Sequence, residues 1–289
     1  MKKLKIGVAL SGGGICGVAH IGFLNVLIEN GIKIDMVAGI SMGSIVGGLF
    51  ASGMTPCEME NAVKKISKGD IFQLNVFKLL KEGVFSGKKI EETLSSFLKT
   101  KNIEDAKIKY FAQAADLKTG KLHTFESGPF VTAMRASSAI PGVFAPVYEN
   151  DTCYVDGGVI DNVPYKLLKE KGADVIIAVD CLNDYKLEEI PKNTFSIIAN
   201  SFMMVTDVIT KKNKKNRKNM YDIYCYDTLE GLSGLSSNLK DIPRIIEAGK
   251  QAGEKYIFEI KNIIEKKKKL LKNTWFSFKS MLTLIVNYG

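Results

Sequence analysis

Gly39-Ile40-Ser41-Met42-Gly43 is the stretch on which the reading of this chain turns. An apolar run at residues 34–38, broken only by Asp35, leads into it, and a second apolar run with helical spacing leaves it over residues 44–51. Strand, tight turn carrying a serine, then helix is the arrangement of a nucleophile elbow, G-x-S-x-G. A serine at the tip of such a turn adopts a strained backbone, and side chains two residues to either side would collide with the strand and helix. Glycine at 39 and 43 removes them. A helix start rich in small residues would look the same in isolation, so the neighbouring segments have to decide.

Upstream, residues 5–10 read as a strand, followed by Ser11-Gly12-Gly13-Gly14-Ile15-Cys16-Gly17 and a helix over 18–30 closed by Gly31. A glycine loop at a helix N-terminus offers backbone N–H groups to an anion. Gly12, Gly14 and Gly17 match G-x-G-x-x-G, the dinucleotide fingerprint, which needs an acid at the end of the second strand. Asp35 has about the right distance but falls at the start of that strand, whose end carries Ser41. The competing reading is an oxyanion hole built from the N–H groups around Gly13 and Gly14. Donors on one strand end and a nucleophile on the next suit acyl transfer, and this reading is favoured.

Downstream, Thr55-Pro56-Cys57-Glu58 has the capping-box pattern of a helix start. Residues 71–86 are apolar and basic without clear period, an irregular connection or a cover. An amphipathic helix is expected over 88–99, a hairpin from 109–116 and 121–125 around Lys118-Thr119-Gly120, and a short helix over 131–138. A proline-punctuated loop over 140–147 precedes a strand, Cys153-Tyr154-Val155, that delivers Asp156-Gly157-Gly158. Asp161-Asn162-Val163-Pro164 then reads as a helix start, and 173–180 as a buried parallel strand. A further strand is expected at 221–226 and a long helix over 242–264.

A serine nucleophile needs a base, and histidine is the usual one. The chain has two, His20 inside the first helix and His123 in the hairpin. In α/β-hydrolases the triad histidine follows the acid in chain order, and no histidine follows residue 123. Either Ser41 is not catalytic or a carboxylate serves directly as its base. Asp156, glycine-flanked at a strand end, is the candidate, provided that desolvation raises its pKa from the ordinary carboxylate range.

The 289 residues are 46% hydrophobic and 25% charged, a globular balance that allows one or two domains. The formal charge of +9 favours anionic partners, among them phospholipid surfaces. Lys211, Lys212, Lys214, Lys215, Arg217 and Lys218 crowd residues 211–218, and Lys266-Lys267-Lys268-Lys269 leads into Trp275, Phe276 and Phe278. Both segments suit an anionic membrane interface as well as a solvated or docked helix face. The charge-free stretches 6–28 and 36–57 are dense in glycine and read as strand, turn and helix rather than as spans. Gly12-Gly13-Gly14 would interrupt the apolar region of any leader peptide. Five cysteines without C-x-x-C spacing signal neither a zinc knot nor a disulfide framework and fit a reducing, cytoplasmic setting, with peripheral contact at the inner membrane face. Nothing in the pattern points to nucleic acid, and oligomeric state is not legible. Residues 1–260 are expected to form one domain and 261–289 a basic, aromatic tail.

Four blocks resemble, in order and spacing, the signature of the short bacterial patatin-like phospholipases. They are Ser11-Gly12-Gly13-Gly14-Ile15-Cys16-Gly17, Gly39-Ile40-Ser41-Met42-Gly43-Ser44, Ala136-Ser137-Ser138-Ala139-Ile140-Pro141-Gly142 and Asp156-Gly157-Gly158. The resemblance implies a three-layer α/β/α fold with a mainly parallel central sheet. It also implies a Ser–Asp dyad without histidine and hydrolysis of lipid esters, of phospholipase A, lysophospholipase or esterase type, with no metal and no cofactor. Carried over, Ser41 would be the nucleophile, Asp156 the base, and the loop of Gly12, Gly13, Gly14 and Gly17 the oxyanion hole. The chain departs from many members at Cys16, where they carry Arg or Lys, and at Ala145, where proline is common. A nucleotide-binding protein and a catalytically weak membrane-associated adaptor on the same fold are the alternative functions.

Overall fold

The computed structural model describes residues 3–67, 87–149, 151–181, 190, 192, 194–216, 220–226 and 239–288. Residues 71–86, read as a connection or a cover, lie outside them. Eight strands among the described residues form one sheet: β1 (Ile6–Leu10), β2 (Met36–Gly39), β3 (Lys109–Asp116), β4 (Lys121–Phe125), β5 (Val147–Glu149), β6 (Thr152–Asp156), β7 (Val175–Asp180) and β8 (Ile223–Tyr226). The order is β5-β6-β3-β2-β1-β7-β8, with β4 also paired to β3. Strands β3, β2, β1, β7 and β8 are mutually parallel, and β4 and β6 run antiparallel to β3. The sheet is therefore mainly parallel with an antiparallel flank.

The central strands alternate strictly, as the period of two requires. Val8, Leu10, Val37, Val175, Ile177 and Val179 face one helical layer, while Ala9, Met36, Ala38, Ile176 and Ala178 face the other. The first layer holds α1 (Ala19–Glu29), α2 (Met42–Ala51) and α3 (Pro56–Ser67), with α4 (Gly87–Phe97) and α5 (Phe130–Ser137) beyond them. The second packs α6 (Tyr165–Glu170) on the small side chains of the sheet. These are the three layers expected. The capping box is present, with Thr55 N–H donating to Glu58 Oε2 at 2.8 Å and Glu58 N–H to Thr55 Oγ1 at 3.2 Å.

Several boundaries differ from the sequence reading. The helix expected from residue 18 begins as a 3-10 turn, Gly14–Val18, and becomes α1 at Ala19. Asp161-Asn162-Val163-Pro164 does not open a helix: α6 starts at Tyr165, because the Asp161 and Asn162 side chains are committed elsewhere. Residues 147–156 form a hairpin, β5–β6, turning at Asp151 with φ +63°. A long helix, α7 (Thr194–Asn216), occupies a region in which the sequence suggested only a basic face. The last helix, α8 (Ile242–Tyr288), runs past residue 264, since nothing from 265 to 288 is Gly or Pro to stop it. No helix among the described residues is long and apolar enough to cross a membrane.

Candidate active site

The register of β3 brings the two halves of the site together. At Ala112, β3 pairs with Gly39 of β2 and with Phe125 of β4, so β2 and β4 lie on opposite edges. At Ala114 it pairs with His123 of β4 and with Asp156 of β6, so β6 shares the edge used by β2. Strands β2 and β6 are therefore laid end to end, C-terminus facing C-terminus, with only the step from Ala112 to Ala114 between them. That step is about 7 Å. Into it fall Ile40 and Ser41 from one side and Asp156 from the other.

Ser41 sits at φ +53°, ψ −127°, one of two described non-glycine residues with positive φ. Such a conformation costs about 1–3 kcal/mol and persists only where the surroundings enforce it. They do so by close approach. A Cβ on Gly39 would lie 2.3 Å from Gly43 O, and one on Gly43 2.3 Å from Leu10 O. The Ser41 N–H donates to Ser137 Oγ at 3.0 Å, and the Ser137 hydroxyl donates to Gln113 O at 2.7 Å. The Asp156 N–H donates to Ala139 O at 2.9 Å. The block from Ala136 to Gly142 thus ties both residues of the pair to one segment.

Asp156 is fully buried. Its Oδ1 accepts from Gly158 N–H at 2.9 Å, while Oδ2 has no hydrogen-bond partner. Burial pushes the carboxyl up to about 7; the Ser41 hydroxyl and the Gly158 N–H only partly offset it. Ser41 is thus close enough to interact with the carboxyl but does not close a hydrogen bond of ordinary geometry on Oδ2. Catalytic hydrogen bonds are commonly loose until substrate arrives. Gly157 lies against Gln113 O and Ile40, and Gly158 against Phe202 and Thr206 of α7.

On the glycine loop, Gly12 is not a free donor: its N–H goes to Asn162, at 3.1 Å to Oδ1 and 3.3 Å to O. Gly13 and Gly14 have no backbone acceptor among the described residues, and neither does Met42, the first residue of α2. Gly17 is where the Met42 side chain packs on the loop. Three N–H groups, two of them at helix starts, are therefore left without a backbone acceptor among the described residues. The sequence reading did not single out Asn162. It is 1% exposed, and its Nδ2 is the second buried side-chain polar atom without a partner among the described residues. An unpaired buried donor and an unpaired buried acceptor, each costing about 1–3 kcal/mol, thus belong to residues flanking Ser41. A polar residue followed by a proline in the loop after Asp-Gly-Gly was the available signal.

Both histidines are engaged away from the Ser41 hydroxyl. His20 Nε2 donates to Ser11 O at 2.9 Å, which leaves Nδ1 to accept from the Cys181 thiol at 3.3 Å. Burial lowers the His20 pKa to about 4 and raises that of Cys181, so both stay neutral. His123 is exposed and stacks between Phe125 and Tyr154. Asp35 accepts from Ile6 N–H at 3.0 Å and pairs with Lys3 at 2.8 Å, at the strand ends opposite the glycine loop. It cannot hold a ribose there, which removes the support for a dinucleotide fingerprint.

Fold and site together define an α/β/α protein with a serine on a strained strand-to-helix turn and a buried aspartate brought to it by the register of β3. A family model described as Patatin-like phospholipase matches residues 8–169, and the chain belongs to that family. An uncharacterized NTE family protein of Mycobacterium tuberculosis is 37% identical over 175 residues, covering 61% of this chain and 48% of the relative. Lysophospholipase NTE1 of Scheffersomyces stipitis is 32% identical over 179 residues, covering 61% of this chain and 12% of its own length. The chain thus spans about half of the mycobacterial relative and a small part of the yeast one. VipD from Legionella pneumophila shares the fold, with a TM-score of 0.53 at 13% identity over 89% of this chain and 67% of its own.

Proposed function

We propose that the chain is a serine acyl hydrolase that cleaves carboxylic esters of lipids through Ser41 and Asp156. The observation that carries this is the buried carboxylate of Asp156, one oxygen unpartnered and its pKa about 7, beside a serine on a strained elbow. A base works best when its pKa lies near the operating pH. In the first step Asp156 Oδ2 takes the Ser41 proton as Oγ attacks the ester carbonyl. The N–H groups of Gly13, Gly14 and Met42 stabilise the oxyanion, and the proton passes to the departing alcohol. In the second, Asp156 takes a proton from water, the hydroxide attacks the acyl-enzyme, and the fatty acid leaves as Ser41 is reprotonated.

An apolar cavity of about 60 Å³ adjoins Met42, the residue after Ser41. Val18, Ile21, Met42, Ile45, Leu49 and Phe97 contribute to its lining. The family and the name of the yeast relative support lipid esters, lysophospholipids among them. The test is fatty-acid release from a lysophospholipid and from a short soluble ester, as a function of pH. Rates should rise through about pH 7 as Asp156 ionises. Absence of release from both substrates, or release that survives Ser41→Ala, would refute the assignment.

A further inference from the structure

Helix α7 carries large apolar side chains on the face turned away from the protein body as well as apolar groups on the face packed against it. The face turned inward carries Ala199, Met203, Thr206, Asp207 and Thr210, of which Thr206 is 2% exposed. The opposite face carries Ile197, Met204, Val205 and Val208, with Met204 at 47% and Val208 at 59% exposure. The offsets of 7, 8 and 11 residues from Ile197 place these four on one stripe of the helix. That stripe is about 16 Å long. It continues at the next turns into Lys211, Lys212 and Lys215. Lys211 pairs with Asp207 at 2.8 Å, while Lys212 and Lys215 are exposed.

The inward face is specific to the catalytic loop. Thr206 Oγ1 shares its proton between Phe202 O at 2.9 Å and Gly158 O at 3.2 Å, Phe202 packs on Gly158, and Asn213 Nδ2 donates to Asp161 Oδ1 at 2.9 Å. Nearer the start of the helix, Ile198 lies against Gly142. The inner side of α7 therefore holds the segment that carries Asp156, and the outer side presents large apolar groups to solvent. Exposed apolar stripes of this kind mark an interaction surface. An apolar stripe that ends in lysines, on a chain of net charge +9, is complementary to the acyl and headgroup layers of an anionic bilayer.

We infer that the outer face of α7 is a docking surface for anionic membranes, which sets the catalytic loop against the bilayer that holds the substrate. The three apolar turns insert at the level of the acyl chains, and Lys212 and Lys215 rest on the headgroups. One helix diameter, about 10–12 Å, then separates the bilayer from Gly158. The inference deepens the reading of the chain as a lipid acyl hydrolase and rests on it.

The test is co-sedimentation of the full chain with phosphatidylcholine vesicles, with and without about 30 mol% phosphatidylglycerol, at low and high salt. Three proteins are compared: wild type, the triple variant Met204→Ser/Val205→Ser/Val208→Ser, and the double variant Lys212→Glu/Lys215→Glu. Wild type should bind the anionic vesicles and release them as salt rises. The triple variant should bind at least about tenfold more weakly, and the double variant about fivefold more weakly per lysine. Turnover of a short soluble ester should be the same in all three, while hydrolysis of vesicle lipid should fall with binding. Equal vesicle binding by wild type and the triple variant would overturn the inference. So would a wild type that ignores vesicles but self-associates through this face, seen as a drop in molar mass by light scattering in the triple variant. Loss of vesicle binding in the triple variant, with no ester turnover even by wild type, would leave the docking surface standing and remove the hydrolase reading.

Discussion

Asp156→Asn should abolish turnover and at the same time make the fold more stable at neutral pH. The carboxyl is fully buried and pushed from 3.8 up to about 7 by that burial. Below about pH 3.8 it is protonated in both the folded and the unfolded chain and contributes no pH dependence. Between about pH 3.8 and 7 the unfolded chain releases its proton while the folded chain keeps it, so stability falls as pH rises. A difference of about 3 pKa units at 1.36 kcal/mol each is about 4 kcal/mol, lost in full once the pH passes about 7. Asparagine keeps an oxygen for the Gly158 N–H, which now donates to Oδ1 at 2.9 Å, and carries no charge at any pH. The variant should therefore lack this slope. Urea unfolding of wild type and variant at about pH 4.5 and 7.5 measures it. The stability difference should move in favour of the variant by about 3 kcal/mol between the two, roughly 6 °C in Tm for a chain of this size. Turnover of a soluble ester should fall by about 10²–10⁴-fold. Equal pH dependence in the two proteins would refute a buried, uncompensated carboxyl at this position.

Two other substitutions test the scaffold around the pair. Ser41→Gly and Ser41→Ala both remove the nucleophile, but only glycine relieves the positive φ, so the glycine variant should be more stable by about 1 kcal/mol in urea; an alanine variant of equal or greater stability would show that the elbow is unstrained. His123→Ala should leave turnover within about twofold, since the ring only stacks on the hairpin, whereas His20→Ala should cost about 2–4 kcal/mol of stability through the partners it strands at Ser11 and Cys181. A His20→Ala protein that remains folded should still react at Ser41, and loss of chemistry in folded His123→Ala would point to a histidine base.

The elements of the site were legible where local sterics leave a residue no choice. Gly39 and Gly43 are glycines because backbone oxygens stand 2.3 Å from where a Cβ would be, and that constraint is written in the spacing around Ser41. The buried strands were legible for a similar reason, since runs such as 175–179 have no polar face to offer. What the sequence did not carry was long-range bookkeeping of hydrogen bonds. Ser137 holding the Ser41 amide, and Asn162 occupying Gly12 across 150 residues, follow from which edges of β3 are shared. No local pattern encodes the end-to-end placement of β2 and β6 that brings Asp156 to Ser41. Helix α7 was missed for a different reason. Its apolar residues do not keep to one face: Ala199 and Met203 turn inward beside Thr206 and Thr210, while Ile197, Met204, Val205 and Val208 turn outward. The C-terminal helix extends beyond the apolar spacing of 242–264 because the lysines that follow continue a helix well without marking an apolar face.

The central claim is that Ser41 is a nucleophile activated by Asp156, and intact-mass analysis after exposure to a fluorophosphonate tests it most directly. Wild type should gain the mass of one adduct, and Ser41→Ala and Asp156→Asn should gain none. An unmodified, folded wild type, or an adduct that persists in Ser41→Ala, would contradict the account.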